Sequence, residues 1–422
     1  LGGRRGGKLL RVLSLKEAGA IGVGGTIGGM IYGVVGEVAG QYGLAVLPAF
    51  GLVALTVVLT AYSYGRLVRV LPEAGGSYTY VRTAFRHRGL AVATGYLLWL
   101  AYVVACGLYA YVFTAYLRYF FEYVPRWLSI ISLVIVFTAV NLWGVRETGW
   151  VQDLIVYTKI ALLAIFVIVC APLAIPGNLP SVPFYWGTMG VGVLVVAAHV
   201  FVGFEGFEIV ALSAEELQNP ERNVWRGMLL TALTITALYI SVVTVLMGGL
   251  PIEELRSEEP LARLGDHLLG RWGALLAVIG GLISPASAFN AALYGASRLL
   301  YAMGRDRVTW RGFAWLTKRR TPAYAILATA VFATLLAIGG YLMFLAASAS
   351  LSFILIFLLV NLSCIRLRKT TQPKLVYPVL GAALCILIAM FESWTSWLFL
   401  LLVLSGIMVA DYAAQRFPPL PD

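Results

Sequence analysis

Blocks of about 20 consecutive apolar residues, separated by short polar stretches, recur along almost the whole of this sequence. A helix of that length crosses the hydrocarbon core of a bilayer. Hydrophobic residues make up 60% of the chain and charged residues 12%, whereas about a quarter of the residues in a soluble domain are charged. The sequence therefore predicts an all-α polytopic membrane protein.

Twelve membrane spans, called span one to span twelve below, can be delimited from these blocks. They cover residues 16–39, 43–66, 90–119, 128–144, 151–174, 187–212, 224–249, 270–301, 322–340, 341–364, 375–391 and 394–413. All four cysteines lie inside spans. They are expected to be small buried hydrophobic residues and not a disulfide framework, which would lie in loops.

Lysine and arginine residues are distributed unevenly between the two sides that these spans define. With the N-terminus inside, 25 of the 31 Lys and Arg residues face the cytoplasm and five face the opposite side. Basic loops stay on the cytoplasmic side, so we expect a multi-pass protein of the cell membrane with both termini cytoplasmic. The net charge of +11 then reflects topology and anionic lipid headgroups, and no nucleic-acid partner is expected.

Lys159 is the one basic residue well inside a span. A charge at the centre of a membrane helix costs about 2.5–3.5 kcal/mol. One interpretation is that the side chain reaches the interface, because Lys159 lies only about 9 Å beyond Asp153, which marks the cytoplasmic entry of span five. The other is that the lysine is functional, since a dry pocket disfavours the charged amine and allows it to release its proton during a cycle.

Glycines interrupt spans one and six at corresponding positions of the two halves. Span one contains GVGGTIGGMIY, where the helix is expected to unwind at Gly28 and Gly29. Span six contains VFVGFEGFEIV, in which Gly203 and Gly206 bracket two other residues. Small residues also serve close helix packing, but interrupted segments at corresponding positions are typical of substrate sites in secondary transporters.

Spans one and six stand five apart, which predicts a five-plus-five inverted repeat followed by two extra helices. An odd number of spans per repeat inverts the second repeat relative to the first. We expect one membrane transporter domain over residues 1–422, divided into repeat one (12–174), repeat two (187–364) and two extra helices (375–413).

Four stretches resemble signatures of the amino acid–polyamine–organocation (APC) transporters. They are GVGGTIGGMIY, PEAGGSYTYVRTAF (72–85), FVGFEGFEIVALSAEELQNPERNVWRGM (201–228) and ISPASAFNAALYGASRLLYAMGRDR (283–307). The match follows the family's order over residues 12–310. Within the family, the chain most resembles the ApcT-like proton-coupled amino acid transporters, which implies a LeuT-type fold with discontinuous helices one and six.

The resemblance implies a proton-coupling role for Lys159. ApcT-like members carry a lysine in helix five, and its ammonium stands where sodium-coupled relatives of the fold hold a sodium ion. The partners implied here are the Gly24 carbonyl and the Ser284 hydroxyl. Glu208 matches an acidic residue just after the helix-six break, and we expect it to act in gating or proton sensing. Met30 departs from the family, in which many members have glycine.

The two breaks imply recognition of the amino and carboxyl groups of an α-amino acid. Freed N–H groups at the start of the second half of helix one suit a carboxylate, and freed carbonyls at the ends of the first halves suit an ammonium. The predicted donors are Gly28, Gly29 and Met30, the predicted acceptors are Ile27, Val202 and Gly203, and Phe204, Glu205 and Gly206 complete the site. Glu205 and Glu208 have an alternative interpretation as structural hydrogen-bonding residues.

These features predict a secondary active transporter that moves amino acids by alternating access, by proton symport, with broad or small and neutral specificity. An amino acid/polyamine exchanger is the alternative, and a sodium symporter is disfavoured because Lys159 would repel a cation. No HExxH motif or nucleophile elbow indicates an enzyme, and no cofactor or metal is expected. A receptor is disfavoured because these residues include no soluble output domain.

Overall fold

The computed structural model of the protein describes residues 14–71, 76–144, 149–174, 186–212 and 217–414. Regular structure in these ranges is helical, with no β-strand. The α-helices of the first half are α1 (Leu15–Thr26), α2 (Val35–Tyr42), α3 (Val46–Val68), α4 (Gly76–Phe85), α5 (Arg88–Phe120), α6 (Arg126–Trp143), α7 (Gly149–Cys170), α8 (Trp186–Val200) and α9 (Ile209–Leu212). Those of the second half are α10 (Pro220–Gly249), α11 (Ile252–Leu255), α12 (Pro260–Leu269), α13 (Arg271–Arg305), α14 (Ala323–Gly339), α15 (Leu342–Arg366), α16 (Arg368–Thr371), α17 (Val376–Ala389) and α18 (Trp394–Ala414).

Seven helical segments within the described ranges are long and apolar enough to cross a membrane, or eight if α17 and α18, bent by 105°, form one span. The segment Leu154–Cys170 of α7 and the helix α14 are shorter apolar helices. The prediction of a helical, polytopic membrane protein agrees with this architecture. The count of twelve spans stays a prediction.

Span one consists of two helical segments. α1 begins at a capping box formed by Ser14 and Glu17, which satisfies backbone amides at the helix start. After α1, Ile27 adopts an extended conformation (φ −71°, ψ 98°) and Gly28 lies in a bend. A π-helix, Met30–Val34, then leads into α2. The helix therefore breaks next to the glycine pair that predicted the interruption.

Span six is interrupted over a longer stretch. After α8, a 3₁₀ turn covers Phe201–Phe204 and a non-helical turn covers residues 205–208 before α9 begins. Gly206 has φ +97°, a backbone conformation that residues with a β-carbon rarely adopt. The sequence VGFEGFE thus turns where Gly203 and Gly206 predicted a break.

The long helix α5 lies at the centre of the bundle and is buried over most of its length. It packs against α4, α13, α14 and α15. α1 packs against α7 and α10, which brings the first half of span one beside Lys159. All four cysteines are buried and unpaired, as the sequence predicted.

Ion pairs connect helices at both ends of the bundle. At one end, Arg69 pairs with Glu221 (3.1 Å) and Arg82 pairs with Asp306 (2.7 Å). This end carries the basic segments after spans two, eight and ten. The basic residues before Ser14, together with 72–75, 145–148 and 415–422, lie outside the described residues.

At the opposite end, the segment between α10 and α12 covers the second half of span one. Arg126 pairs with Glu258 (2.5 Å), and the Tyr111 hydroxyl donates to the same carboxylate (2.5 Å). A β-carbon at Gly36 in α2 would lie 2.5 Å from the Leu255 carbonyl oxygen. This contact requires glycine, so α2 and the covering segment are packed backbone to backbone.

Candidate functional site

Lys159 of α7 closes the C-terminal end of α1. Its side chain is fully buried, and Nζ donates one hydrogen bond of 2.9 Å to the Gly24 carbonyl and another of 2.9 Å to the Ile27 carbonyl. A helix C-terminus has carbonyls without intrahelical partners and a partial negative charge, so an ammonium group is stabilised there. The side chain extends inward to helix one, which argues against the interpretation that it reaches the interface.

A tyrosine of α10 binds the same helix end. The Tyr239 hydroxyl donates to the Thr26 carbonyl (3.1 Å), and the Thr26 hydroxyl donates to the Gly22 carbonyl (2.8 Å). A β-carbon at Gly24 would lie 2.1 Å from Val156 Cγ2, so α7 approaches α1 as closely as a glycine permits. The helices α1, α7 and α10 therefore meet at the break and share its free carbonyls.

Ser284 of α13 is also fully buried, but its hydroxyl forms no hydrogen bond with the residues that the structure describes. In this conformation Lys159 binds the Gly24 carbonyl, which was one of its two predicted partners. Its second partner is the Ile27 carbonyl and not the predicted hydroxyl of Ser284. A carbonyl at the negative end of a helix is a stronger electrostatic partner for an ammonium than a neutral hydroxyl. The Ile27 carbonyl, predicted as an acceptor for the substrate, is thus already engaged.

Glu208 holds the turn of helix six together. Its Oε2 accepts a hydrogen bond from the Gly206 amide (2.9 Å), and its Oε1 accepts one from the Tyr102 hydroxyl (3.2 Å). The Val202 carbonyl also accepts from the Glu205 amide across this turn (3.1 Å). These bonds fit the structural interpretation of Glu208, and its part in proton sensing stays a prediction.

Tyr109 of α5 connects the two breaks. Its hydroxyl donates to Glu205 Oε2 (3.3 Å), and the Glu205 side chain is buried. Its ring lies against helix one, since a β-carbon at Gly28 would be 2.7 Å from Tyr109 Cε1 and one at Gly29 would be 3.1 Å from Cδ1. Any side chain at Gly28 therefore displaces the aromatic ring that reaches the acidic residue of helix six.

The backbones of the two breaks touch directly. A β-carbon at Gly206 would lie 2.5 Å from both the carbonyl carbon and the carbonyl oxygen of Gly25. Further along helix one, the buried Met30 side chain lies over Gly203, where a β-carbon would be 1.9 Å from Met30 Cε. The Met30 side chain therefore narrows the gap between the two breaks.

Other side chains fix the first half of helix six. The Ser350 hydroxyl of α15 donates to the His199 carbonyl (3.1 Å) and accepts from the Val202 amide (2.9 Å). Phe204 is buried and packs against Phe50 and Tyr239, with ring centroids 6.3 and 6.0 Å apart. Its ring therefore lies between α3 and α10, beside the tyrosine that binds the end of α1.

Sequence reasoning missed the polar side chains that other helices contribute to this region. They are Tyr102, Tyr109, Tyr239 and Ser350. The sequence did contain a pattern that could have identified the tyrosines of α5. Tyr102, Tyr109 and Tyr116 are spaced by seven residues and so lie on one face of the helix. All three hydroxyls donate to helix one or helix six, and Tyr116 binds a helix-one carbonyl at 2.6 Å.

The amino acid permease family matches this chain over residues 13–418, a range that includes both breaks and Lys159. The chain belongs to the amino acid permeases of the APC family. The match covers far more than the four signature stretches, since it continues through α14 to α18.

Individual relatives cover most of this permease. An uncharacterized protein of Methanocaldococcus jannaschii is 30% identical over 305 residues, which is 70% of this permease and 68% of that protein. The vacuolar cationic amino acid transporter 2 of Arabidopsis thaliana is 28% identical over 87% of this permease and 61% of its own length. The branched-chain amino acid permease BcaP of Bacillus subtilis is 26% identical over 95% of this permease and 92% of its own length. The family identifies a transporter and not an enzyme.

Proposed function

We propose that this permease is a secondary active transporter that carries α-amino acids across the cell membrane by alternating access, in symport with protons. The observation that carries the proposal is the contact of the Lys159 ammonium with the Gly24 and Ile27 carbonyls (both 2.9 Å). This contact joins a titratable side chain to the interrupted backbone of helix one. Protonation of Lys159 and binding of a substrate therefore both affect the break in helix one.

The coupling follows from the two charge states of the lysine. As an ammonium, Lys159 bridges α7 and the end of α1 in the manner of a bound cation. As a neutral amine it loses most of the attraction to the carbonyl oxygens, so the break is released. A ligand shifts an equilibrium between two conformations by its differential affinity for them, and here the proton is such a ligand.

The backbone groups at the two helix breaks are proposed to bind the carboxylate and the ammonium of the substrate. Gly28, Gly29 and Met30 begin the second segment of helix one, where amides lack partners in their own helix and attract a carboxylate. The Gly203 and Val202 carbonyls are proposed to accept from the substrate ammonium, and the Val202 carbonyl has a second lone pair besides the one that binds the Glu205 amide. The Ile27 carbonyl is disfavoured because the Lys159 ammonium that it binds would repel a second cation. The named relatives transport cationic or branched-chain amino acids, a difference in side chain that fits a site for the shared backbone groups.

We also propose a membrane topology for this permease. Twelve spans form two inverted repeats, 12–174 and 187–364, followed by two extra helices at 375–413, and both termini are cytoplasmic. The distribution of basic residues supports the orientation. The two interrupted helices, five spans apart, support the repeat.

Uptake of a panel of radiolabelled amino acids into proteoliposomes tests the proposed function. We expect one or a few amino acids to accumulate above the external concentration when an inward proton gradient is imposed, and a protonophore to abolish accumulation. Uptake that requires internal amino acid and ignores the gradient would instead identify an exchanger.

Met30→Ala is expected to shift selectivity towards amino acids with larger side chains. The substitution opens the space over Gly203 that Met30 now fills, while the backbone donors remain. Competition by leucine and phenylalanine against radiolabelled alanine measures the shift. Met247→Ala is the matched control, because it removes an equally buried methionine from α10. An unchanged order of competitors in Met30→Ala would contradict a substrate position beside this residue.

Glu205→Gln is expected to weaken binding of zwitterionic and cationic amino acids by about tenfold, the loss of one charge-assisted interaction. Glutamine keeps an oxygen that accepts from Tyr109, so the variant removes the charge and spares the bond to the tyrosine. Calorimetry on purified protein measures the affinity. Glu208→Gln is the comparison, and we expect it to lower thermal stability more than affinity. Equal affinity of Glu205→Gln and wild type would leave Glu205 with a structural role only.

A further inference from the structure

A cavity of about 420 Å³ lies away from the helix breaks, where the ends of α3, α4 and α15 meet. Its polar lining consists of two arginines and two threonines, Arg86, Arg366, Thr83 and Thr370. The arginines come from different helices, since Arg86 follows the end of α4 and Arg366 is the last residue of α15. Two guanidinium groups and two hydroxyls on one cavity form a set of hydrogen-bond donors suited to an anion.

Some basic residues at this end of the bundle are neutralised by ion pairs, but Arg86 and Arg366 are not among those that are paired within the described residues. Arg69 and Arg82 at the same end of the bundle pair with Glu221 and Asp306. Neither Arg86 nor Arg366 forms an ion pair or a hydrogen bond through its side chain within the described part of the chain, and both are exposed. No acidic side chain of the described residues therefore pairs with either arginine at the cavity.

Arg86 is one of five described non-glycine residues with a left-handed backbone, and the only one of the five that lines this cavity. Arg86 ends α4 with φ +52°, the left-handed conformation that glycine adopts most readily at helix ends. A residue with a β-carbon costs about 1 kcal/mol more than glycine in this conformation. An arginine that lines the cavity therefore stands at a position where glycine would be favoured by backbone conformation alone.

The remaining lining is apolar and consists of Val70, Leu71, Ala84, Phe85 and Leu367. A free phosphate ion has no apolar part that could pack against these side chains. A phospholipid has such a part, because its phosphate is followed by a glycerol backbone and acyl chains that can pack against the apolar lining. The cavity also lies at the end of the bundle that carries most of the described basic residues, and anionic headgroups attract such surfaces.

We propose that this cavity binds the phosphate group of an anionic phospholipid, with Arg86 and Arg366 as the paired ligands and the apolar wall against the glycerol and upper acyl chains. Such a lipid bridges α4 and α15. α15 carries Ser350, which holds the first half of helix six through His199 and Val202. Bound lipid is therefore expected to stabilise the protein through elements connected to helix six. The proposal does not depend on the identity of the transported substrate.

The test is the thermal stability of the purified full-length protein in detergent during titration with phosphatidylglycerol, with phosphatidylcholine, or with inorganic phosphate. We expect phosphatidylglycerol alone to raise the unfolding temperature. In the double variant Arg86→Gln/Arg366→Gln, the apparent affinity for phosphatidylglycerol should fall by about tenfold or more, because two charge-assisted hydrogen bonds to the phosphate are lost. The matched control Arg368→Gln/Lys369→Gln removes two exposed charges from α16, outside the cavity, and should keep the wild-type affinity.

Equal affinity in the cavity variant and the control would overturn the proposal, because binding would then reflect general surface charge. Equal stabilisation by inorganic phosphate would overturn the assignment to a lipid and leave a phosphate site. If the double variant does not fold, native mass spectrometry on Arg86→Gln and Arg366→Gln provides the second measurement. Loss of the phosphatidylglycerol adduct in each single variant is expected, and retention of the adduct at the wild-type level in both contradicts the site.

Discussion

Lys159→Ala is expected to reduce proton-driven accumulation of amino acid in proteoliposomes to the level of protein-free liposomes. The substitution removes the ammonium that donates to the Gly24 and Ile27 carbonyls and so removes the group proposed to carry the proton. Exchange of internal for external amino acid should persist, because the backbone groups of the substrate site are intact. Accumulation and exchange, measured on the same preparation, separate a coupling defect from a general loss of function.

Lys159→Arg is expected to fail in accumulation as well, for the opposite reason. Arginine keeps its charge throughout any transport cycle, so the bridge between α7 and α1 would not be released. Lys374→Ala, at an exposed lysine outside the spans, serves as the control and should transport normally. Wild-type accumulation by Lys159→Ala would show that the lysine has a structural role only.

Gly206→Ala is expected to have the second-largest effect, a loss of both thermal stability and substrate binding. The φ of +97° alone costs about 1–3 kcal/mol for a residue with a β-carbon. The new methyl group would also lie 2.5 Å from the Gly25 carbonyl, which is backbone and has no rotamer by which to move away. Helix one and helix six must therefore separate where the substrate groups are proposed to bind.

Gly295→Ala in α13 is the matched control for this prediction. No heavy atom would lie within 4 Å of its new β-carbon, and alanine is favoured over glycine inside a helix by about 1 kcal/mol. We expect this variant to be as stable as wild type or more stable. Thermal unfolding and calorimetric binding measure both variants, and wild-type values for Gly206→Ala would contradict close packing of the two breaks.

The interruptions were predictable from sequence because glycine has a local effect on the backbone. Gly28 and Gly29 predicted a break that the structure has at Ile27 and Gly28, and Gly206 lies in the turn of helix six. These features are determined by residues that are adjacent in the sequence, so they can be predicted without knowing how the helices pack. For Lys159 the sequence left two interpretations open, an interfacial side chain or a functional lysine in a dry pocket, and the structure has the side chain buried.

Contacts between distant helices were less predictable. The sequence identified Met30 as a departure from the family but not its position over Gly203, which depends on how far helix one rotates at the break. The contact of Lys159 with the Ile27 carbonyl in place of Ser284 also joins distant parts of the chain, because it depends on how α7 packs against the end of α1. Tyr109 was missed because aromatic residues make up 13% of the chain, and most aromatic residues in membrane proteins serve packing or the interface.

Proton coupling through Lys159 is tested most directly by measuring whether protons enter together with the amino acid. A pH-sensitive dye trapped in proteoliposomes reports this when a transported amino acid is added outside, with no imposed pH gradient and the membrane potential clamped by potassium and valinomycin. We expect wild-type protein to acidify the lumen and Lys159→Ala to leave the luminal pH unchanged. Amino acid uptake by wild type without acidification, or equal acidification by Lys159→Ala, would contradict proton coupling through Lys159.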